Sequence, residues 1–427
     1  MIFSRKRWIV TGIVIISCFS GNAFGTDYYV AGTGCDDSYA GTEAQPFCSI
    51  AKSIAKLLAG DTLYVKNGTY IDQNIYLTGK SGTASQPITV KAYPGHAPVI
   101  QGSGYSSGGR NRFTDCNYFV FDGFTVTNMN QGIFIESSHD FTVQNSTIYN
   151  IGQEGVHIRI NSHHVTLNNN IIHDTGKGGS NGEGIYVGTS SSGPSDNTNN
   201  VLAVNNTVYN TTDEGIELKP GTSFCVVDNN IFHNTGNYAA IEVNQNEIPG
   251  VQLFDGNPSH VVRNNIIHDI SASGATAAIR AGTGSTVYNN VVYNIASGKY
   301  GIVSDMLFSD SYARRIYHNT IDVPSSRALF IDDGAPTDSR NNIGPGTSGN
   351  IATSDAFYVN KAGRDYHLVS GSAPVDAGVD LAGSVPFDRD GRSRTIGPAP
   401  DLGAYEYPGA TPVKVPNPPS DIRISDE

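Results

Sequence analysis

From Gly132 to Ala328 the chain repeats one pattern: a small residue, an aliphatic, a variable position, a second aliphatic, another variable position. Copies start at Gly132, Gly155, Gly184, Gly215, Ala240, Ala278, Gly301 and Ala328, at intervals of 23 to 38 residues. Side chains alternate across a strand, so the aliphatics face inward and the variable residues outward. A second pattern begins at Asn170, Asn206, Asn230, Asn265 and Asn290: Asn, a spacer, an apolar residue, Tyr or His, then Asn or Asp. The two patterns share a period of about 29 residues, which predicts a solenoid whose turns each lay strands on the turn before. The expected fold is all-β, a right-handed single-stranded parallel β-helix with its Asn column hydrogen-bonded as a ladder. Tyr149, His173, Tyr209, His233, His268 and Tyr293 form an outward column, read as aromatic and imidazole stacking.

The ends differ from the middle. Arg5, Lys6 and Arg7 precede an apolar run and the small-x-small triplet Ala23-Phe24-Gly25, so residues 1–25 read as a secretory signal peptide and the mature protein as secreted or periplasmic. Lipid anchoring at Cys18 is the lesser alternative, and no membrane span is expected. Residues 26–60 read as an N-terminal cap, with a helix over 49–59 presenting Ile50, Ile54, Leu57 and Leu58 on one face to cover the first coil. Coils are expected over 61–345, a turn-rich capping segment over 346–407 and a disordered Pro-rich tail over 408–427. Cys35 and Cys48 flank a short loop and are expected to pair. Cys116 and Cys225 lie about four coils apart, too far to bridge at about 4.8 Å per coil, and read as buried thiols. Losing the leader removes three cations and no anion, moving the formal charge from -12 to -15 and excluding nucleic acid as a partner. The expected state is a monomer.

Stacking the repeats places Phe134, His157, Tyr186, Glu217, Glu242, Arg280 and Val303 in one outward column, and Glu136, Arg159, Gly188, Lys219, Asn244, Gly282 and Asp305 in a second. His157, Arg159, Tyr186, Glu217, Lys219, Glu242 and Arg280 then share a patch about 20 Å long. Polar outward residues are ordinary in a solenoid, and Glu217 beside Lys219 is compatible with plain surface pairing. Like charges at Glu217 and Glu242 on neighbouring strands, however, cost stability unless a cation or a shared proton offsets them. The long spacings after the Tyr186 and Glu242 strands, residues 189–200 and 245–259, are placed to wall a groove.

The opening Tyr28-Tyr29-Val30, residues 60–70 (GDTLYVKNGTY) and residues 401–406 (DLGAYE) resemble the ends of secreted bacterial β-helix proteins, among them pectate lyases and chondroitinase B-like alginate lyases. Asp213-Glu214-Gly215-Ile216-Glu217 resembles the Asp-Asp-Gly-x-Asp calcium motif of one pectate lyase family, with Glu twice replacing Asp. That resemblance implies Ca2+ held by Glu183, Asp213, Glu214 and Glu217, although Glu154, Glu183 and Glu214 also read as turn residues preceding glycines. It further implies a polysaccharide substrate containing uronate, cleaved by β-elimination. Lys219 is then the base, Arg280 or Arg159 steadies the sugar carboxylate, and Tyr186 or His157 is the acid. The lysine that follows one coil later in that pectate lyase family is Glu242 here; Lys219 and Arg280 resemble instead the lysine and arginine of the alginate lyases, at a different spacing. Two alternatives stand beside this reading. One is a glycoside hydrolase using Glu217 and Glu242, whose strands sit about 5 Å apart as in a retaining pair. The other is a non-catalytic glycan-binding or cell-surface protein.

Overall fold

The computed structural model describes residues 25–105, 109–189, 196–243, 259–304, 312–332, 334, 336–347 and 349–409. Residues 1–24 with Cys18, the tail beyond 409, Asn244, Asp305, half of the first long insertion and nearly all of the second lie outside the described residues.

Two 12-stranded sheets and one 10-stranded sheet, all parallel, run along the chain as a right-handed β-helix. Each coil adds one strand to each sheet, so the repeat period becomes a register. Ile133 pairs with Val156, Val156 with Ile185, Ile185 with Ile216 and Ile216 with Ile241. These aliphatics are fully buried in one continuous core reaching from Val30 to Ala328. Such a core is stabilised by every coil in roughly equal measure, each burying its apolar face against two neighbours.

The corners explain the asparagines. Asn169, Asn205, Asn229, Asn264 and Asn289 adopt left-handed backbone angles, φ 53 to 59°, which Asn tolerates better than most residues. The asparagine that follows each turns inward and is buried. Along the inner column the Oδ1 of Asn206, Asn230, Asn265, Asn290 and Asn319 accepts from the backbone N–H of the rung before it, at 2.8 to 3.0 Å. The Nδ2 groups link the same rungs amide to amide. The ladder thus satisfies polar groups that the bend would leave buried and unpaired. On the outer side the rings from Tyr149 to Tyr293 stack with centroids 4.6 to 5.2 Å apart.

At the N-terminus the helix is Ile50–Lys56, capped by Ser49 Oγ, with Ile50, Ile54 and Leu57 buried in the core. It is shorter than residues 49–59 because Leu57 is already extended, and that turn sends Leu58 to the surface. Cys35 and Cys48 form a disulfide, while Cys116 and Cys225 are buried free thiols. The C-terminal segment folds back along the flank of the final coils. The fully buried Arg394 donates to Glu406 at 2.8 Å and to Asn289 at 2.8 Å, and Arg389 Nε reaches the carbonyl of Asn264 at 3.1 Å. Tyr366 extends the outer ring stack onto Tyr293. No helix among the described residues is long and apolar enough to cross a membrane.

Candidate active site

The 10-stranded sheet carries the candidate residues. Strand register aligns Phe134, His157, Tyr186, Glu217, Glu242 and Arg280 in a single column. The column faces away from the aliphatic core and is nevertheless buried: Glu217 and Glu242 are each 3% exposed and Tyr186 6%. Lys219 and Arg280 side chains pair with it instead of extending into water. Lys219 Nζ lies 2.5 Å from Glu217 Oε1, and Arg280 Nη1 lies 2.8 Å from Glu242 Oε1.

A second row of acids stands one residue before the glycines of the repeat. Main-chain bonds run from Gly155 N to Glu183 O and from Gly184 N to Glu214 O, so Glu154, Glu183 and Glu214 stack in successive coils. Glu214 lies two residues before the strand Ile216–Leu218, outside its strict alternation, and its carboxyl comes to the side of Glu217. The result is a cluster in which one oxygen each of Glu183, Glu214 and Glu217 lies within 4.8 Å of the others. Gly215, between them, cannot become larger: a Cβ there meets Phe232 Cδ1 at 2.5 Å and Ala240 O at 2.7 Å.

Such crowding of buried acids shifts their protonation. Burial, then the charges of Glu217 and Glu242, push the Glu214 carboxyl up to about 10; its proton sits in a hydrogen bond with Glu242. Burial raises Glu183 to about 7, with smaller contributions from Glu154 and Glu217. Glu242 is raised by burial in spite of Arg280, and its Oε2 is buried with no hydrogen-bond partner. Burial alone would lower the Lys219 ammonium, but the carboxylates of Glu217, Glu183 and Glu214 outweigh it and hold the group above its ordinary value. The Tyr186 hydroxyl is pushed far up by burial and by Glu217.

The remaining candidates separate. Asp213 is not part of the carboxylate cluster: it lies on the turn before the strand, part-exposed, and its Oδ1 accepts from Asn237 Nδ2 at 2.7 Å. Arg159 sits at the far N-terminal side, its Nε 3.0 Å from Glu136, so of the two arginines only Arg280 borders the acids. His157 Nε2 faces the carbonyl of Gly188 at 3.0 Å and must carry the ring proton; burial lowers its pKa, leaving Nδ1 an unpartnered lone pair. The ring proton is engaged by the Gly188 carbonyl.

Arg112 and Arg110 escaped the sequence reading. The strand Asn111–Thr114 lacks the small-aliphatic pattern, yet Arg112 pairs in register with Phe134 and donates through Nε to Glu136 at 2.8 Å. The signal was the period itself: Arg112 lies 22 residues before Phe134, one coil back.

A family model described as "Pel9A-like, right handed beta helix region" matches residues 28–318. Pectate lyase PEL9 of Emericella nidulans is 44% identical over 77 residues, which is 18% of this chain and 18% of that enzyme. The crystal structure of pectate lyase Pel9A superposes with a TM-score of 0.61 at 18% identity, over 90% of this chain and 97% of that one. An alginate lyase from Paenibacillus sp. str. FPU-7 gives 0.54 at 21% identity, over 71% and 98%. At those identities the two structures establish a common fold. The match to the family model, which spans most of the chain, establishes the lineage: this protein belongs to the Pel9A-like right-handed β-helix family.

Proposed function

We propose that the protein is an exported polysaccharide lyase that cleaves a uronate-containing polymer, pectate-like or alginate-like, by calcium-assisted β-elimination. The observation that carries this reading is the buried cluster of Glu183, Glu214 and Glu217 with Lys219 on Glu217. Calcium suits it: the donors are all carboxylate oxygens, burial and the neighbouring acids raise the carboxyls of Glu183 and Glu214, and Glu242 Oε2 is buried without a partner. Glu183, Glu214 and Glu217 would hold the ion, which when bound neutralises the sugar carboxylate and makes the neighbouring C5 proton more acidic.

The chain's own residues do the rest. Lys219 Nζ takes the C5 proton; to do so it must leave Glu217 and lose the proton that the neighbouring glutamates hold on it. The electron pair forms the C4–C5 double bond and the C4–O4 bond breaks. Tyr186, a phenol kept protonated by its surroundings, gives the departing O4 its proton, and Arg280 orients the sugar carboxylate.

One observation favours the hydrolase alternative: Glu217 and Glu242 face each other on paired strands, and Glu214 supplies a neutral acid hydrogen-bonded to Glu242. A screen of pectate, alginate and neutral polymers that reads reducing ends together with ultraviolet absorbance separates the readings. New ends with absorbance support elimination. New ends without it reject elimination in favour of hydrolysis, and no new ends on any polymer favour a binding protein.

A further inference from the structure

Three guanidinium groups surround one phenyl ring on the same face as the carboxylate cluster. The Cζ atoms of Arg110, Arg159 and Arg112 lie 5.0, 5.4 and 5.9 Å from the centroid of Phe134. The ring itself is 3% exposed, so the guanidinium groups, not the phenyl, form the surface there.

Their charges do not balance. Glu136, on the Phe134 strand, ion-pairs with Arg112 and, at 3.0 Å, with Arg159 through Nε, and its side chain is 8% exposed against 44% and 30% for the two arginines. Among the described residues no carboxylate lies within ion-pair distance of Arg110. Three cations therefore share one carboxylate, an excess of two positive charges in a chain whose formal net charge is -12. Contact between guanidinium and ring faces gives cation–π stabilisation, but like charges gathered on one ring repel, and an anion is the natural complement. Arg159 Nε lies 3.0 Å from Glu136 without making a hydrogen bond, and a planar guanidinium edge matches a carboxylate two bonds at a time.

The position matters as much as the charge. Register runs from Phe134 through His157 and Tyr186 to Glu217, three strand steps, or about 14 Å at the usual spacing between strands. A single sugar at Glu217 cannot reach Phe134, whereas a longer chain lying along the sheet touches both.

We propose that Arg110, Arg112 and Arg159 form a distal subsite that binds the free carboxylate of a uronate several units from the bond being cut. This rests on the polyuronate reading above and adds to it a direction of binding along the strand stack and a preference for long, unesterified chains. Esterifying the carboxylate removes its charge and one acceptor, so an esterified unit is a poor occupant.

The test uses the full-length protein and size-defined unesterified oligouronides. Arg110→Gln is expected to raise KM for a decamer about tenfold, the size of one lost charge-assisted contact, and to raise KM for a trimer far less. The salt dependence of the decamer KM should also become shallower, because one fewer ion pair is made. Arg110→Lys keeps the charge without the fork and should fall between the two. Lys91→Gln, on another sheet, removes the same charge as a control and should leave both KM values unchanged. An equal effect on trimer and decamer, or none on either, overturns the subsite while leaving the lyase reading intact. Should the wild type cut no polyuronate, calorimetric titration with the decamer decides: binding that weakens in Arg110→Gln keeps the subsite and sinks only the lyase, and no binding by the wild type overturns both.

Discussion

Asn230 gives the sharpest stability test, because its coil spaces the Glu217 strand from the Glu242 strand. Its side chain is fully buried and makes four hydrogen bonds. Oδ1 accepts from the backbone N–H of Asn206 at 2.8 Å and from Asn206 Nδ2 at 3.0 Å; Nδ2 donates to Ala203 O at 2.9 Å and to Asn265 Oδ1 at 3.1 Å. Asn230→Ala removes all four. Asn265 Oδ1 still accepts from the Asn230 backbone, and Asn206 Nδ2 still reaches Leu167 O. The Asn206 N–H and one Nδ2 proton are left buried and unpaired. At about 1–3 kcal/mol for each orphaned donor, the variant should lose about 2–6 kcal/mol, a large share of the ~5–15 kcal/mol typical of a folded domain. Urea unfolding followed by circular dichroism measures it. Asn234→Ala is the control, since Asn234 bonds Asn210 at 2.5 Å on the exposed outer corner and should cost under about 1 kcal/mol. If Asn230→Ala is no more damaging than Asn234→Ala, the ladder does not stabilise the coil as argued.

Four further outcomes are expected. Calcium at a hundredfold excess over its Kd should stabilise the protein by about 2.7 kcal/mol, an effect absent from Glu217→Gln; a wild-type melting temperature indifferent to both calcium and chelator refutes the metal assignment. Lys219→Ala should lower kcat by about 10²–10⁴ while substrate still binds, with Glu242→Gln milder; the reverse order in kinetic assays points to hydrolysis. His367 bridges Asp365 at 2.6 Å and Asp390 at 2.8 Å, and the hydrogen bond to Asp390, against the opposing effect of burial, raises its pKa. Its contribution is therefore complete below the unfolded value of about 6.5 and is lost as pH rises through the higher folded value, so hydrogen-exchange protection of the C-terminal segment should fall between neutral and alkaline pH, and not in His367→Gln. Cys116 and Cys225, whose thiols burial pushes up to about 11 and about 12, should resist alkylation until the protein is denatured, while unreduced peptide mapping recovers Cys35 joined to Cys48.

What the sequence determined by itself is what stacking repeats. A parallel solenoid translates every position by one coil, so the small-aliphatic pattern fixed inward and outward faces and the pairing of His157 with Tyr186 and Glu217 with Glu242. The asparagine rungs, the outer ring stack and the Cys35–Cys48 bridge were legible for the same reason: each depends on spacing along the chain. Tertiary structure alone decided what happens between side chains once they are stacked. Asp213 and Glu214 are adjacent in sequence, yet one turns to Asn237 and the other joins the acids, because only the second lies where the backbone enters the strand. That the acid column is buried, that Glu214 keeps its proton, and that Lys219 folds onto Glu217 all follow from packing at 4.8 Å intervals, which no local pattern records. Arg110 and Arg112 gather with Arg159 on Phe134 for a related reason: the strand before the first clear repeat obeys the coil's geometry without carrying its sequence signature.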